Sequence, residues 1–162
     1  MDPTHLHLLL NHVPTVGFGI GVPLFALALL IRSSDLKQAS LAIIVAIALV
    51  SIPTYTTGNM AQATLEERGE VSDGTTEAMV TLSLIQTHEG AAFLALGFME
   101  LTGMLAWLAL WKFRRTSVLT WGLGGTILVL SLLTLGLMAQ AANLGGLINH
   151  PEIRGTVEAT SF

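Results

Sequence analysis

The sequence predicts an all-α integral membrane protein, a four-helix up-down bundle whose helices extend past the bilayer on its outer side. Three observations carry that prediction. Of the 162 residues, 52% are hydrophobic and 11% charged, and the mean hydropathy is +0.69, a composition typical of membrane proteins. The apolar residues gather into four runs, each close to the length of about 20 residues that crosses a bilayer once. The connections between the runs are too short to form a soluble domain, so residues 1–162 are expected to make a single membrane domain.

The first run extends from Val13 to Ile31, the second from Ala39 to Thr57, the third from Gly90 to Trp111 and the fourth from Val118 to Met138. The first connection, Arg32 to Lys37, and the third, Lys112 to Arg115, hold five of the seven Lys and Arg residues. The excess of basic residues marks the cytoplasmic side. The second connection, Glu66 to Asp73, is acidic, and both termini then lie outside with it. The expected location is a bacterial inner (plasma) membrane, multi-pass, with both termini periplasmic. Met1 to Leu10 lacks the basic start and small-residue cleavage site of a signal peptide, so the first span is expected to be retained. Trp107, Trp111 and Trp121 fall near the basic end, where indoles favour the headgroup level.

Helical character continues beyond the spans. Residues 59–67, 76–89 and 139–147 are rich in Ala, Met, Leu and Gln and read as outward extensions of the second, third and fourth helices. Gly17 and Gly21 form a GxxxG step in the first span, and Gly122, Gly124 and Gly125 lie in the fourth; small residues let helices approach closely in lipid. Pro23 and Pro53 fall inside the first and second spans, where each deletes a main-chain hydrogen bond.

Composition excludes several chemistries. The chain has no cysteine, which removes disulfides, thiolate metal sites, iron–sulfur clusters and covalently attached c-type haem. A net charge of −4 without a basic stripe gives no footprint for nucleic acid. A di-iron carboxylate site needs Glu-x-x-His pairs on two helices, and none occurs. No nucleophile elbow supports hydrolysis. The chain is therefore not read as an enzyme by itself.

The histidines are the distinctive feature. His5, His7 and His12 stand before and at the start of the first span, His88 in the outer part of the third helix, and His150 just past the fourth. At a rise of about 1.5 Å per residue, His12, His88 and His7 come to one level near the outer boundary. Two imidazoles facing each other across a helix bundle are the axial ligands of a b-type haem. His12 and His88 are the first candidate pair, His7 with His88 the variant. Gly17 and Gly90-Ala91-Ala92 are candidates for small residues against a macrocycle. Alternatively His7, His12 and His88, with Glu89 and the thioethers of Met60 or Met79, are suited to copper or zinc.

Glu100 lies near the middle of the third span beside Thr102 and Met104. A carboxyl at that depth faces the bundle interior or is protonated; it is a candidate proton relay or quinone contact, against the alternative of a structural hydrogen bond. Thr54, Tyr55, Thr56, Thr57 and Asn59 form a polar face on the second helix at the level of His12.

The segments His7-Leu8-Leu9-Leu10-Asn11-His12-Val13-Pro14, Thr57-Gly58, His88 and Gly145-Gly146-Leu147-Ile148-Asn149-His150 resemble a bacterial family of four-helix predicted membrane proteins that carry a domain of unknown function. The family usually has Pro after its first histidine, where this chain has Leu8. The resemblance implies that His7, His12, His88 and His150 belong to one outward-facing cluster, and it implies no particular reaction.

Three functions follow as expectations. The first is a haem b-binding electron-transfer or accessory subunit of a membrane redox complex, exchanging electrons with a quinone or an external cytochrome. The second is a cofactor-free accessory subunit docked to other subunits. The third is a copper- or zinc-handling module.

Overall fold

The computed structural model describes residues 3–67 and 74–150, together with Glu152 and Arg154. Residues 68–73, most of the acidic connection, lie outside the described residues. The chain forms α1 (Pro3–Leu10), α2 (His12–Leu30), α3 (Ser34–Glu67), α4 (Thr76–Thr116) and α5 (Trp121–Asn149), with no strand among the described residues. Among the described residues, four stretches are long and apolar enough to cross a membrane: 4–30, 34–67, 76–116 and 121–148. This is a multi-pass membrane protein.

Around the bundle, α2 packs on α3, α3 on α4, α4 on α5, and α5 returns to α2, while α1 lies mainly against α3. The expected outward extensions are continuous with the spans. The 34 residues of α3 and the 41 of α4 correspond to lengths of about 50 and 60 Å, against roughly 30 Å of hydrocarbon.

Four boundaries differ from the sequence expectation. The segment carrying His5 and His7 is helical. α1 and α2 meet at Asn11, which keeps helical dihedrals (φ −60°, ψ −27°) and whose N–H bonds the His7 carbonyl at 2.9 Å. Pro14 lacks the N–H that would have bonded the Leu10 carbonyl, so the helical ladder is interrupted here. The first connection is shorter than Arg32 to Lys37, because the Ser33 hydroxyl accepts from the Leu36 N–H at 3.3 Å and starts α3 at Ser34. Lys112 to Arg115 are not a loop. They occupy the last turns of α4, where their charge complements the helix dipole, and Ser117 ends the helix in the left-handed region (φ 55°). Val118 to Thr120 then form the connection, and α5 begins at Trp121.

The core repeats at helical spacing: Phe18, Val22 and Phe25 on α2, Leu41, Ile44 and Ala48 on α3, Met99, Ala106 and Ala109 on α4, with Ile127 from α5. Between helices in lipid the hydrophobic effect gives little drive, so close packing and polar contacts matter more. Gly17 and Gly21 do face α3, against Ile47 and Ile43. Gly103 of α4 meets Ala48 of α3 so closely that a Cβ on Gly103 would overlap the Ala48 methyl. The fully buried Thr102 and Thr134 join α4 to α5 through their hydroxyls at 3.2 Å, a contact worth on the order of 0.6 kcal/mol in a membrane bundle.

The Gly103–Ala48 contact predicts that Gly103→Ala destabilises the bundle by about 1–3 kcal/mol, because a methyl on Cα cannot rotate away. Unfolding in detergent should show the loss, Ala48→Gly should restore stability, and Gly136→Ala, which meets open space, should not lower it.

Candidate functional site

At the end of the bundle that carries the histidines, α1, α2, α3, α4 and α5 enclose a cavity of about 490 Å³, a size typical of cofactor and small-molecule sites. Leu8, Asn11, His12, Thr15, Thr54, Tyr55, His88 and His150 are among its lining residues. Its walls on α4 and α5 are built from Ala92, Ala95, Ala141, Ala142, Gly145 and Gly146, and Ser51, Met99 and Met138 also line it. The space exists because these helices place small side chains where large ones would meet.

Two histidines are held by main-chain carbonyls. The half-buried His7 donates from Nδ1 to the Thr54 carbonyl of α3 at 3.1 Å. The half-buried His88 donates from Nδ1 to the Ala141 carbonyl of α5 at 2.9 Å. Helical carbonyls have a second lone pair, so each accepts the imidazole in addition to its ladder bond. Since a carbonyl only accepts, each neutral ring carries its proton on Nδ1 and leaves the Nε2 lone pair available.

A glycine lies against each ring. A Cβ on Gly58 would stand 2.9 Å from Cε1 of His7, and one on Gly145 would stand 3.3 Å from Cε1 of His88. Gly58 and Gly145 make room for the imidazoles. Gly17 is turned against Ile47, Gly90 faces open space, and of the neighbouring alanines only Ala92 lines the cavity. His88 lines the cavity, whereas His7 stands at its margin, bonded to the lining residue Thr54.

The remaining histidines differ. His12 lines the cavity but is exposed and makes no hydrogen bond among the described residues. His150, also lining and exposed, pairs through Nδ1 with Glu152 at 2.9 Å. The Glu152 carboxyl is held below its ordinary value, first by its own main-chain amide and then by His150. His5 is exposed and outside the cavity, and Glu89 does not line it. Met60 and Met79 are exposed and away from it; Met99 and Met138 are the thioethers that line it. Among the described residues no group of three His, Asp or Glu side chains is placed to hold a metal ion.

Glu100 accepts a hydrogen bond from the Ser51 hydroxyl at 2.9 Å. Its partner is therefore on α3 and not the adjacent Thr102, which bonds the Phe98 carbonyl and Thr134. Ser51 lines the cavity, so Glu100 is one hydrogen bond from it. From the polar face on α3 only Thr54 and Tyr55 reach the cavity. Thr56 and Thr57 bond back to the Pro53 carbonyl, and Asn59 is exposed.

Two contributors had no recognisable sequence signal. Ser51 reads as one small polar residue in an apolar run. Arg154 lies beyond the helical pattern, yet it donates to the carbonyls of Leu147 (2.8 Å) and Ile148 (3.0 Å) and to the Thr81 hydroxyl (3.1 Å). It thus caps α5 and ties its end to α4 beside His150.

No family model, curated protein or solved structure matches the chain, so its short histidine and glycine motifs are read through the geometry above.

The two carbonyl contacts predict a specific tautomer. Imidazole ¹⁵N–¹H correlation spectra should show His7 and His88 protonated at Nδ1 when neutral. Nε2 protonation in either would contradict the hydrogen bonds described.

Proposed function

We propose that this chain is a haem b-binding electron-transfer subunit of a membrane redox complex, with His7 and His88 as the axial ligands. The observation that carries the proposal is the pair of anchored imidazoles: His7 and His88 are each fixed by Nδ1–H to a main-chain carbonyl of another helix, His88 lines a cavity walled by alanine and glycine, and His7 is bonded to Thr54, which lines the same cavity. A histidine that ligates a metal characteristically donates its other N–H in this way, which fixes the ring and raises its basicity. His12, the partner suggested by depth alone, lines the cavity but lacks such an anchor.

The basic end of the bundle faces the cytoplasm under the positive-inside rule, which puts the cavity and both termini on the outer side of a bacterial inner membrane. Electron exchange with a quinone or an external cytochrome suits that position. A haem supplies reversible one-electron transfer when bound. The residues of the chain would supply the rest: His7 and His88 would hold and orient it, the alanines and glycines of α4 and α5 would make room for it, and Glu100 with Ser51 would offer a proton site next to the cavity.

The interhelical contacts also suit a cofactor-free accessory subunit, since His7 ties α1 to α3 and His88 ties α4 to α5. The absorption spectrum separates the readings. Protein purified from cells supplied with haem precursor should give Soret and alpha bands in a reduced-minus-oxidised spectrum. His88→Ala and His7→Ala should each lose them, while His12→Ala should keep them. A bandless wild type would leave the accessory reading standing, and a band that persists in His88→Ala would refute the ligand assignment.

Glu100→Gln should retain the bands and flatten the pH dependence of the midpoint potential, which for one proton per electron approaches about 59 mV per pH unit. An unchanged slope would assign Glu100 only its structural hydrogen bond to Ser51.

A further inference from the structure

A second recess, of about 270 Å³, lies at the opposite end of the bundle between the α2–α3 turn and the start of α5. It is lined by Leu29, Arg32, Lys37, Leu119, Thr120 and Trp121. Arg32 at the α2–α3 turn and Lys37 in the first turn of α3 face one small space, and among the described residues no carboxylate lines it. Among the described residues neither Arg32 nor Lys37 has an acidic partner.

The recess is shaped for an anion. Arg32 has a left-handed backbone (φ 57°), unusual for a residue other than glycine and maintained only where the surroundings hold it. Its guanidinium sits 5.8 Å from the centre of the Trp121 ring, a contact that orients the cation without consuming its N–H donors. Thr120 precedes α5 without capping it through its side chain, so the first amides of that helix add positive potential to the two cations.

The surroundings are those of a membrane boundary. Leu29 and Leu119 supply apolar walls, Leu30 and Ile31 are exposed beside the turn, and Trp121 is 69% exposed, as an indole at headgroup level is. A free anion has no use for these apolar walls; the glycerol and upper acyl chain of a lipid do. Basic pockets between transmembrane helices are recognised sites for acidic lipid headgroups. We propose that this recess binds the phosphate of an acidic phospholipid such as phosphatidylglycerol. A zwitterionic lipid is disfavoured because its own cation meets Arg32 and Lys37.

The test is thermal unfolding of the delipidated full chain in neutral detergent, with added phosphatidylglycerol, phosphatidylcholine of the same acyl chains, or inorganic phosphate. Phosphatidylglycerol should raise the midpoint by several degrees, and the other two should leave it nearly unchanged. Arg32→Gln with Lys37→Gln should lose most of that shift, whereas Lys112→Gln with Arg114→Gln, at the same end but outside the recess, should keep it. Native mass spectrometry of the wild type gives an independent readout, in which phosphatidylglycerol should be retained in preference to phosphatidylcholine. Equal responses to the two lipids, a matching response to phosphate, or an undiminished response in the Arg32/Lys37 variant would overturn the proposal.

Discussion

Inside hydrocarbon a polar group finds its partner within the protein or remains unsatisfied at a cost of several kcal/mol. The rest of this structure depends on that constraint. Helical ladders satisfy most of the main chain, and the spare lone pairs of helical carbonyls take up several of the polar side chains, the buried Ser131 hydroxyl being an exception. Ser40, Thr54, Thr102 and Thr134 bond carbonyls of their own helices. His7 and His88 use the same kind of acceptor on a different helix. A device that elsewhere only hides a hydroxyl here fixes two imidazoles, and it fixes them at the end of the bundle where the helices enclose free volume.

The free volume has its own cause in side-chain size. Toward the basic end, the large side chains of Phe18, Phe25, Leu41, Ile44 and Ile127 are fully buried between the helices. Toward the histidine end, α4 and α5 present Ala92, Ala95, Ala141, Ala142, Gly145 and Gly146. The Thr102–Thr134 bond and the Gly103–Ala48 contact hold α3, α4 and α5 together below the cavity. Above it, Arg154 bridges the carbonyls at the end of α5 to Thr81 on α4. The helices are thus tied to one another on both sides of the cavity.

The four crossings were legible because each required a long apolar run, and the outward extensions because their composition stayed helix-forming past the hydrocarbon. The helix at residues 3–10 was not, since it is short, polar in part and separated from the span by the ladder break that Pro14 creates. The histidine end of the site could be read from residue positions, but the anchors could not: Thr54 and Ala141 act through main-chain carbonyls, which leave no trace in residue type. Depth alone put His12 level with His88, and nothing in the spacing showed that His7 is bonded to α3 while His12, though it lines the cavity, has no hydrogen bond among the described residues. Gly58 and Gly145 stood in the short motifs, yet their reason, room for the imidazole ring of His7 or His88, depends on contacts 51 and 57 residues away in the chain. The Ser51–Glu100 bond joins residues 49 apart, beyond the reach of any local pattern.

The central claim is that His7 and His88 together ligate one haem iron. Electron paramagnetic resonance of the oxidised protein tests it most directly, because two axial imidazoles give a low-spin ferric signal. The account predicts that signal in the wild type and in His12→Ala, and its replacement by a high-spin signal or none in His7→Ala and His88→Ala. A wild type without a ferric haem signal, or a low-spin signal that survives His7→Ala, would contradict it.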